Sequence, residues 1–202
     1  MSLARDLGLS MLQRFSDDLA GDDARWGPLL EFRNGLEGWW KGELASSLIR
    51  WTNDQDEYFC VALEQQTDGP GWREGGTNTG RCDVLVYSYD NDDPAPYREK
   101  RGGPRVWFEL KQRATWWPAT KAFGVANHGI HHDLQKWRET RWADTEAAFA
   151  VLFLGHDSED LNEHWNKAIH AVGEPMLHHA HRHLVDDQTQ RWLHLVVWDL
   201  RT

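Results

Sequence analysis

Glu109 and Lys111 stand two positions apart in RVWFELKQR (residues 105–113), a run in which Val106, Trp107, Phe108 and Leu110 are apolar. Side chains two apart on a strand project from the same face, so the run presents a carboxylate and an ammonium side by side. Taken alone, the triplet also describes a surface ion pair on an edge strand, worth about 1 kcal/mol at most. Asp83, just ahead of the apolar Val84-Leu85-Val86 in RCDVLVYSYD (81–90), supplies a second carboxylate. Pairing of these two runs in a meander puts Asp83 beside Glu109, where two carboxylates repel unless they share a cation. Hard oxygen ligands suit Mg2+ or Mn2+, which keep several waters and need only one or two protein carboxylates. Such an ion lowers the pKa of a bound water and stabilises charge growing on a phosphate. Lys111 would orient that water or offset the charge. A third acid, Glu43, lies in WWKGELASSLIRW (39–51), where Leu44 and Leu48 mark a buried side. Glu43 either reaches the sheet margin and holds metal through water, or is a solvated helix carboxylate.

Periodicity identifies the elements that must position these residues. Leu3, Leu7, Met11, Phe15 and Leu19 recur at helical spacing over 3–19, and GDD at 21–23 ends the pattern. A second helical pattern covers about 28–51, although Gly35, Gly38 and Gly42 weaken it. The period then changes: strands are expected at 58–66, 81–90 and 105–113, forming an antiparallel meander separated by turn-rich loops. Helix is expected around 119–142, and AAFAVLFLG (147–155) reads as a strand covered on both faces. Residues 156–184 read as helix interrupted at Gly173 and Pro175, and WLHLVVWDL (192–200) closes as a strand. This order predicts an α/β fold: a mixed central sheet of about five strands flanked by helices. One domain over 1–202 is expected, with an N-terminal helical segment to 27 and the core from about 28.

Composition narrows the classes of partner. The 22 Lys and Arg against 32 Asp and Glu give a formal charge of −10, which argues against indiscriminate coating of nucleic acid. A carboxylate-lined metal site is itself acidic until its cation binds, so a local basic groove remains compatible with that total. The 13 Trp are read first as packing residues. Cys60 and Cys82 lack zinc or CxxC spacing and are read as strand thiols in a reducing compartment. No stretch has the length of a membrane span and the N-terminus lacks a leader pattern, so a cytoplasmic location without membrane contact is expected.

Glu43 on a helix, Asp83 opening a strand, and Glu109 with Lys111 on the next strand resemble the PD-(D/E)xK, or restriction-endonuclease-like, nuclease superfamily. The resemblance spans roughly residues 28–155 and includes the order in which helix, strands and helix follow. It implies a shared core of a mixed sheet flanked by helices, and a Mg2+-dependent hydrolase of DNA phosphodiester bonds. It further implies Asp83 and Glu109 as metal ligands, the Leu110 carbonyl as a backbone ligand and Lys111 as the catalytic lysine. Gln112 would contact substrate or water. The chain departs from the pattern in having Cys82 rather than proline before Asp83, and an insertion from Tyr89 to Pro104.

That insertion carries Arg98, Lys100 and Arg101, which with Arg105, Lys111 and Arg113 form a local basic cluster. The cluster would bind phosphate, or it is a solvated charged loop. Trp116 and Trp117 either pack in the core or stack on an unpaired base. Two histidine groups, 128–132 and 178–183, contain i, i+4 pairs (His128 with His132, His179 with His183). That spacing holds zinc on a helix given a third ligand, although surface histidines share it. Two further readings stand beside DNA cleavage. One is RNA or small-molecule phosphodiester hydrolysis by the same chemistry. The other is a catalytically silent immunity, inhibitor or assembly protein whose acidic surface receives a basic partner. A short chain without a second DNA-reading domain would take specificity from a homodimer or a protein partner.

Overall fold

The computed structural model describes residues 2–31, 36–64, 82–88, 103–114, 130–138 and 144–201. The first helix, α1 (Leu3–Gly21), begins at Ser2, whose hydroxyl accepts a capping bond from the Arg5 N–H. Its stripe Met11, Leu12, Phe15 and Leu19 is buried. The expected single helix over 28–51 is replaced by α2 (Asp23–Trp26), a 3-10 turn (Gly27–Glu31) and α3 (Glu37–Asn53). Trp40, Leu44, Leu48 and Trp51 form the buried side of α3.

Six strands follow: β1 (Phe59–Leu63), β2 (Val84–Ser88), β3 (Arg105–Ala114), β4 (Glu146–His156), β5 (Leu177–Leu184) and β6 (Gln190–Asp199). Their order in the one mixed sheet is β1-β2-β3-β4-β6-β5. The expected meander is present, with β1 antiparallel to β2 and β2 antiparallel to β3. β3 and β4 run parallel, which requires a crossover, and α4 (Ile130–Arg138) lies between them in sequence. A fifth helix, α5 (Glu163–Ala171), precedes β5.

The sixth strand corrects the helical expectation for 156–184: only 163–171 is helical, and 177–184 is an edge strand. Leu177, His179, His181 and His183 project toward α1 and α2, while His178, Ala180 and Arg182 face the other way. Ser16 of α1 lies 2.6 Å from His179 Nδ1 and 3.3 Å from His181 Nε2, and His183 Nδ1 lies 3.1 Å from Asp23. The alternation has period 2, but histidine carries it in place of an aliphatic residue. A hydrophobicity pattern therefore hides it.

Strand alternation divides the interior into two cores. On one face Val84, Val86, Val106, Phe108, Phe149, Val151, Phe153 and Leu195 pack under α1 and α3. On the other, Leu85, Trp107, Ala148, Leu152 and Trp198 pack under α4 and α5. β4 is apolar from Ala147 to Leu154 because it serves both faces, as its composition predicted. Trp40 stacks on Phe153 with ring centroids 4.6 Å apart and planes at 6°. Arg201 Nη1 bonds the Ser2 hydroxyl at 2.9 Å, and Arg5 pairs with Asp199 at 3.1 Å, so α1 is tied to the end of β6.

Gly8 lets α1 lie close to the sheet. A Cβ there would overlap the Phe149 ring edge and sit 3.0 Å from Val106 Cγ1. Gly8→Ala should therefore destabilise the fold by about 1–3 kcal/mol through overpacking, despite the roughly 1 kcal/mol that alanine gains in helix propensity. A shift of the urea midpoint to lower concentration checks this, and an unchanged or raised midpoint refutes it.

Candidate functional site

The β2–β3 register pairs Val84 with Phe108. That register ends at Val84, and Asp83, the residue before it, lies at a bend beside Phe108 and Leu110. Asp83 is locked there through backbone and side chain together. Its N–H donates to the Phe108 carbonyl at 3.2 Å, and its carbonyl accepts from the Glu64 N–H at 3.0 Å. Its Oδ2 accepts from the Leu110 N–H at 2.7 Å. In an extended strand the N–H and C=O of one residue point to the same edge, so the Leu110 carbonyl also faces the β2 side. Glu109 is buried, and its Oε1 lies 3.0 Å from Lys111 Nζ. Asp83, Glu109 and Lys111 thus occupy neighbouring positions at the margin where β2 begins.

Glu43 is not brought to this margin. Its Oε1 lies 2.5 Å from Arg25 Nη2 of α2. The residue of α3 that reaches Asp83 is Lys41, whose Nζ lies 2.6 Å from Asp83 Oδ1. Two positions on a helix are about 200° of rotation, so Glu43 and Lys41 flank the buried stripe from opposite sides. Glu37, one turn before Lys41, lies 4.0 Å from the same ammonium, and Glu64 lies 3.6 Å from it. Glu64 ends β1 with a φ of +48°, a left-handed conformation costly for a side-chain-bearing residue, and this turn brings it beside Lys41. Burial opposes the charge on Lys41, but the hydrogen bond and charge of Asp83, with Glu37 and Glu64, outweigh it and raise the ammonium pKa.

Sequence reading missed Lys41, Glu37 and Glu64. A signal for the first two was present: Glu37 and Lys41 precede Leu44 and Leu48 at helical spacing, so an acid and a base stand along the edge of the apolar stripe. Nothing in the sequence marked Glu64, whose placement depends on the turn after β1.

The basic cluster is described only in part. Arg105 is paired with Glu146 at 2.6 Å, and Arg113 Nη1 bonds the Gln112 carbonyl at 2.8 Å. Gln112 is half-buried on β3. Arg98, Lys100, Arg101, Trp116, Trp117 and His128 lie outside the described residues, as does the side chain of His132. The i, i+4 helical reading of His179 and His183 fails, because both lie on β5. Among the described residues no group of three or more His, Cys, Asp or Glu is placed to hold a metal ion. No described helix is long and apolar enough to cross a membrane.

The fold and site define an α/β protein with helices on both faces of a mixed sheet and an acid-x-lysine strand beside a buried aspartate. Comparisons with protein-family models, curated proteins and solved structures find no match to the chain.

Proposed function

We propose that the protein is a Mg2+-dependent nuclease that hydrolyses DNA phosphodiester bonds at Asp83, Glu109 and Lys111. The observation that carries this reading is the clasp between Asp83 Oδ2 and the Leu110 N–H, which fixes the first acid against the acid-x-lysine triplet. The order α3, three-strand meander, helix and parallel strand supports the restriction-endonuclease-like resemblance on which the reading draws.

The donor set that supports a hard divalent ion is two carboxylates, Asp83 beside Leu110 and Glu109 on the same strand as that residue, with the Leu110 carbonyl, and water would fill the remaining sites. Asp83, Glu109 and Leu110 would hold the ion. Mg2+ or Mn2+ bound there supplies an acidified water and a countercharge for the phosphate. Lys111, beside Glu109, positions that water and neutralises charge that grows on the phosphate. Gln112 and Arg113, next on the strand, with Arg98, Lys100 and Arg101 of the insertion, would contact the backbone of the nucleic acid. Sequence choice would rest with a second copy or a protein partner.

Cleavage of plasmid, single-stranded DNA and RNA with Mg2+ or Mn2+ tests the reading; Asp83→Ala should abolish it and Lys111→Ala should sharply lower it, without unfolding the protein. Glu43→Gln should leave the rate within about threefold of wild type, since its carboxylate is taken by Arg25 of α2. A hundredfold loss in that variant would return Glu43 to the site.

A second reading draws on one observation. Both acids already carry an ammonium, Lys41 on Asp83 and Lys111 on Glu109. Such charge pairing suits a nuclease fold used as a binding protein, its net charge of −10 directed at a basic partner. Absence of cleavage on every substrate, together with no divalent-ion binding, would favour it.

A further inference from the structure

The Asp83 carboxylate has two oxygens with unequal duties. Oδ2 is committed to the sheet through the Leu110 N–H at 2.7 Å. Oδ1 is the oxygen left for a cation, and Lys41 Nζ holds it at 2.6 Å. The other acid, Glu109, has its own lysine on the same strand. Lys41 comes from a different element, α3, on a flexible four-carbon stem. Around its ammonium stand two further carboxylates, Glu64 at 3.6 Å and Glu37 at 4.0 Å. A small rotation of the side chain would exchange Asp83 for these two without leaving the ammonium unpaired.

We propose that Lys41 is a resident counter-ion that holds the cation's place on Asp83 and moves to Glu37 and Glu64 when a divalent ion binds. The inference rests on the reading of Asp83 and Glu109 as metal ligands. A buried aspartate needs a countercharge at all times, and Lys41 meets that need without metal. The same ion pair sets a threshold, because a divalent ion must displace Lys41 before it can take Oδ1. The turn that forces Glu64 into a left-handed conformation then has a purpose, since it supplies half of the second seat.

Calorimetric titration of the full chain with Mn2+ tests the proposal. Lys41→Met should bind Mn2+ about tenfold more tightly than wild type, because one direct ion pair no longer competes. Equal or weaker binding by the variant, with wild type binding normally, overturns the role of Lys41 and leaves the metal site standing. No binding by either protein overturns the metal reading and this inference with it. A measurement on the wild-type chain guards against misfolding of the variant. With 15N-lysine labelling, the Lys41 ammonium resonance, assigned by its loss in Lys41→Arg, should shift on addition of Mg2+ with the midpoint of binding. A stationary resonance during saturation overturns the displacement.

Discussion

Lys111→Ala is expected to lower the rate of DNA cleavage at saturating Mg2+ by about 10²- to 10³-fold, the usual loss for a group that stabilises developing charge. The deficit should fall on kcat with little change in KM, because the interaction strengthens only as charge moves onto the phosphate. The fold should survive the change with a lowered midpoint, since the lysine is partly exposed, at 21% of its side-chain surface, but the buried Glu109 loses its ammonium. Far-ultraviolet circular dichroism and the urea midpoint check this alongside the kinetics. Asp83 calls for a gentler substitution. Asp83→Ala leaves the buried Leu110 N–H without its acceptor, a loss of about 1–3 kcal/mol. Asp83→Asn keeps an oxygen for that N–H while removing the charge that would bind metal. It should therefore abolish cleavage with less harm to stability. Wild-type rates in both Lys111→Ala and Asp83→Asn would sink the site assignment.

Acid should weaken the fold well above the pH at which its carboxylates titrate. His194 on β6 is fully buried, and burial first, then the neighbouring His178, push its pKa down to about 3. His181 on β5 is pushed down to about 4 by burial and then by His179, partly offset by Asp17. Both groups are neutral in folded and unfolded chains above the ordinary value of 6.5, so they add no slope there. As pH falls below 6.5 the unfolded chain takes up protons that the folded chain refuses, and stability drops. At ~1.4 kcal/mol per group per pH unit, the two together cost roughly 5 kcal/mol between pH 6.5 and 4.5, a large share of the 5–15 kcal/mol typical of a domain. Asp18 works in a lower window. Burial opposes its charge, but bonds from Ser47, Arg50 and Arg14 outweigh that and lower its pKa, so its stabilisation is lost only below the ordinary carboxylate range. Urea unfolding at half-unit steps from pH 7.5 to 4.5 measures the slope. His194→Phe should remove about one proton from the uptake on unfolding. A flat profile would mean that these histidines are not held neutral.

The central sheet was legible where sequence pattern and burial agree. The apolar run of β4 declared a strand covered on both faces, and the alternation in 81–90 and 105–113 gave the meander. β5 was hidden because three histidines occupy its inward positions, satisfied by Ser16 and Asp23 instead of by apolar neighbours. The α3 contribution to the site was misplaced for a different reason. Glu43 and Lys41 both flank the buried stripe, and only the packing of α3 over β1 and β3 decides which flank meets Asp83. That packing depends on contacts far apart in sequence, which a local period cannot report. Glu64 was invisible because its role comes from a single backbone conformation.

The bond between Ser2 and Arg201, with the Arg5–Asp199 pair, also bears on how the polypeptide is made. A ribosome delivers α1 well before the surfaces of β4 that cover its apolar stripe, Phe149 and Phe153. That helix must wait until β4 is made with its greasy side unsheltered by the sheet. The same long wait makes closure a high-contact-order event, and the nascent chain, more than the finished protein, is the form most exposed to misassociation.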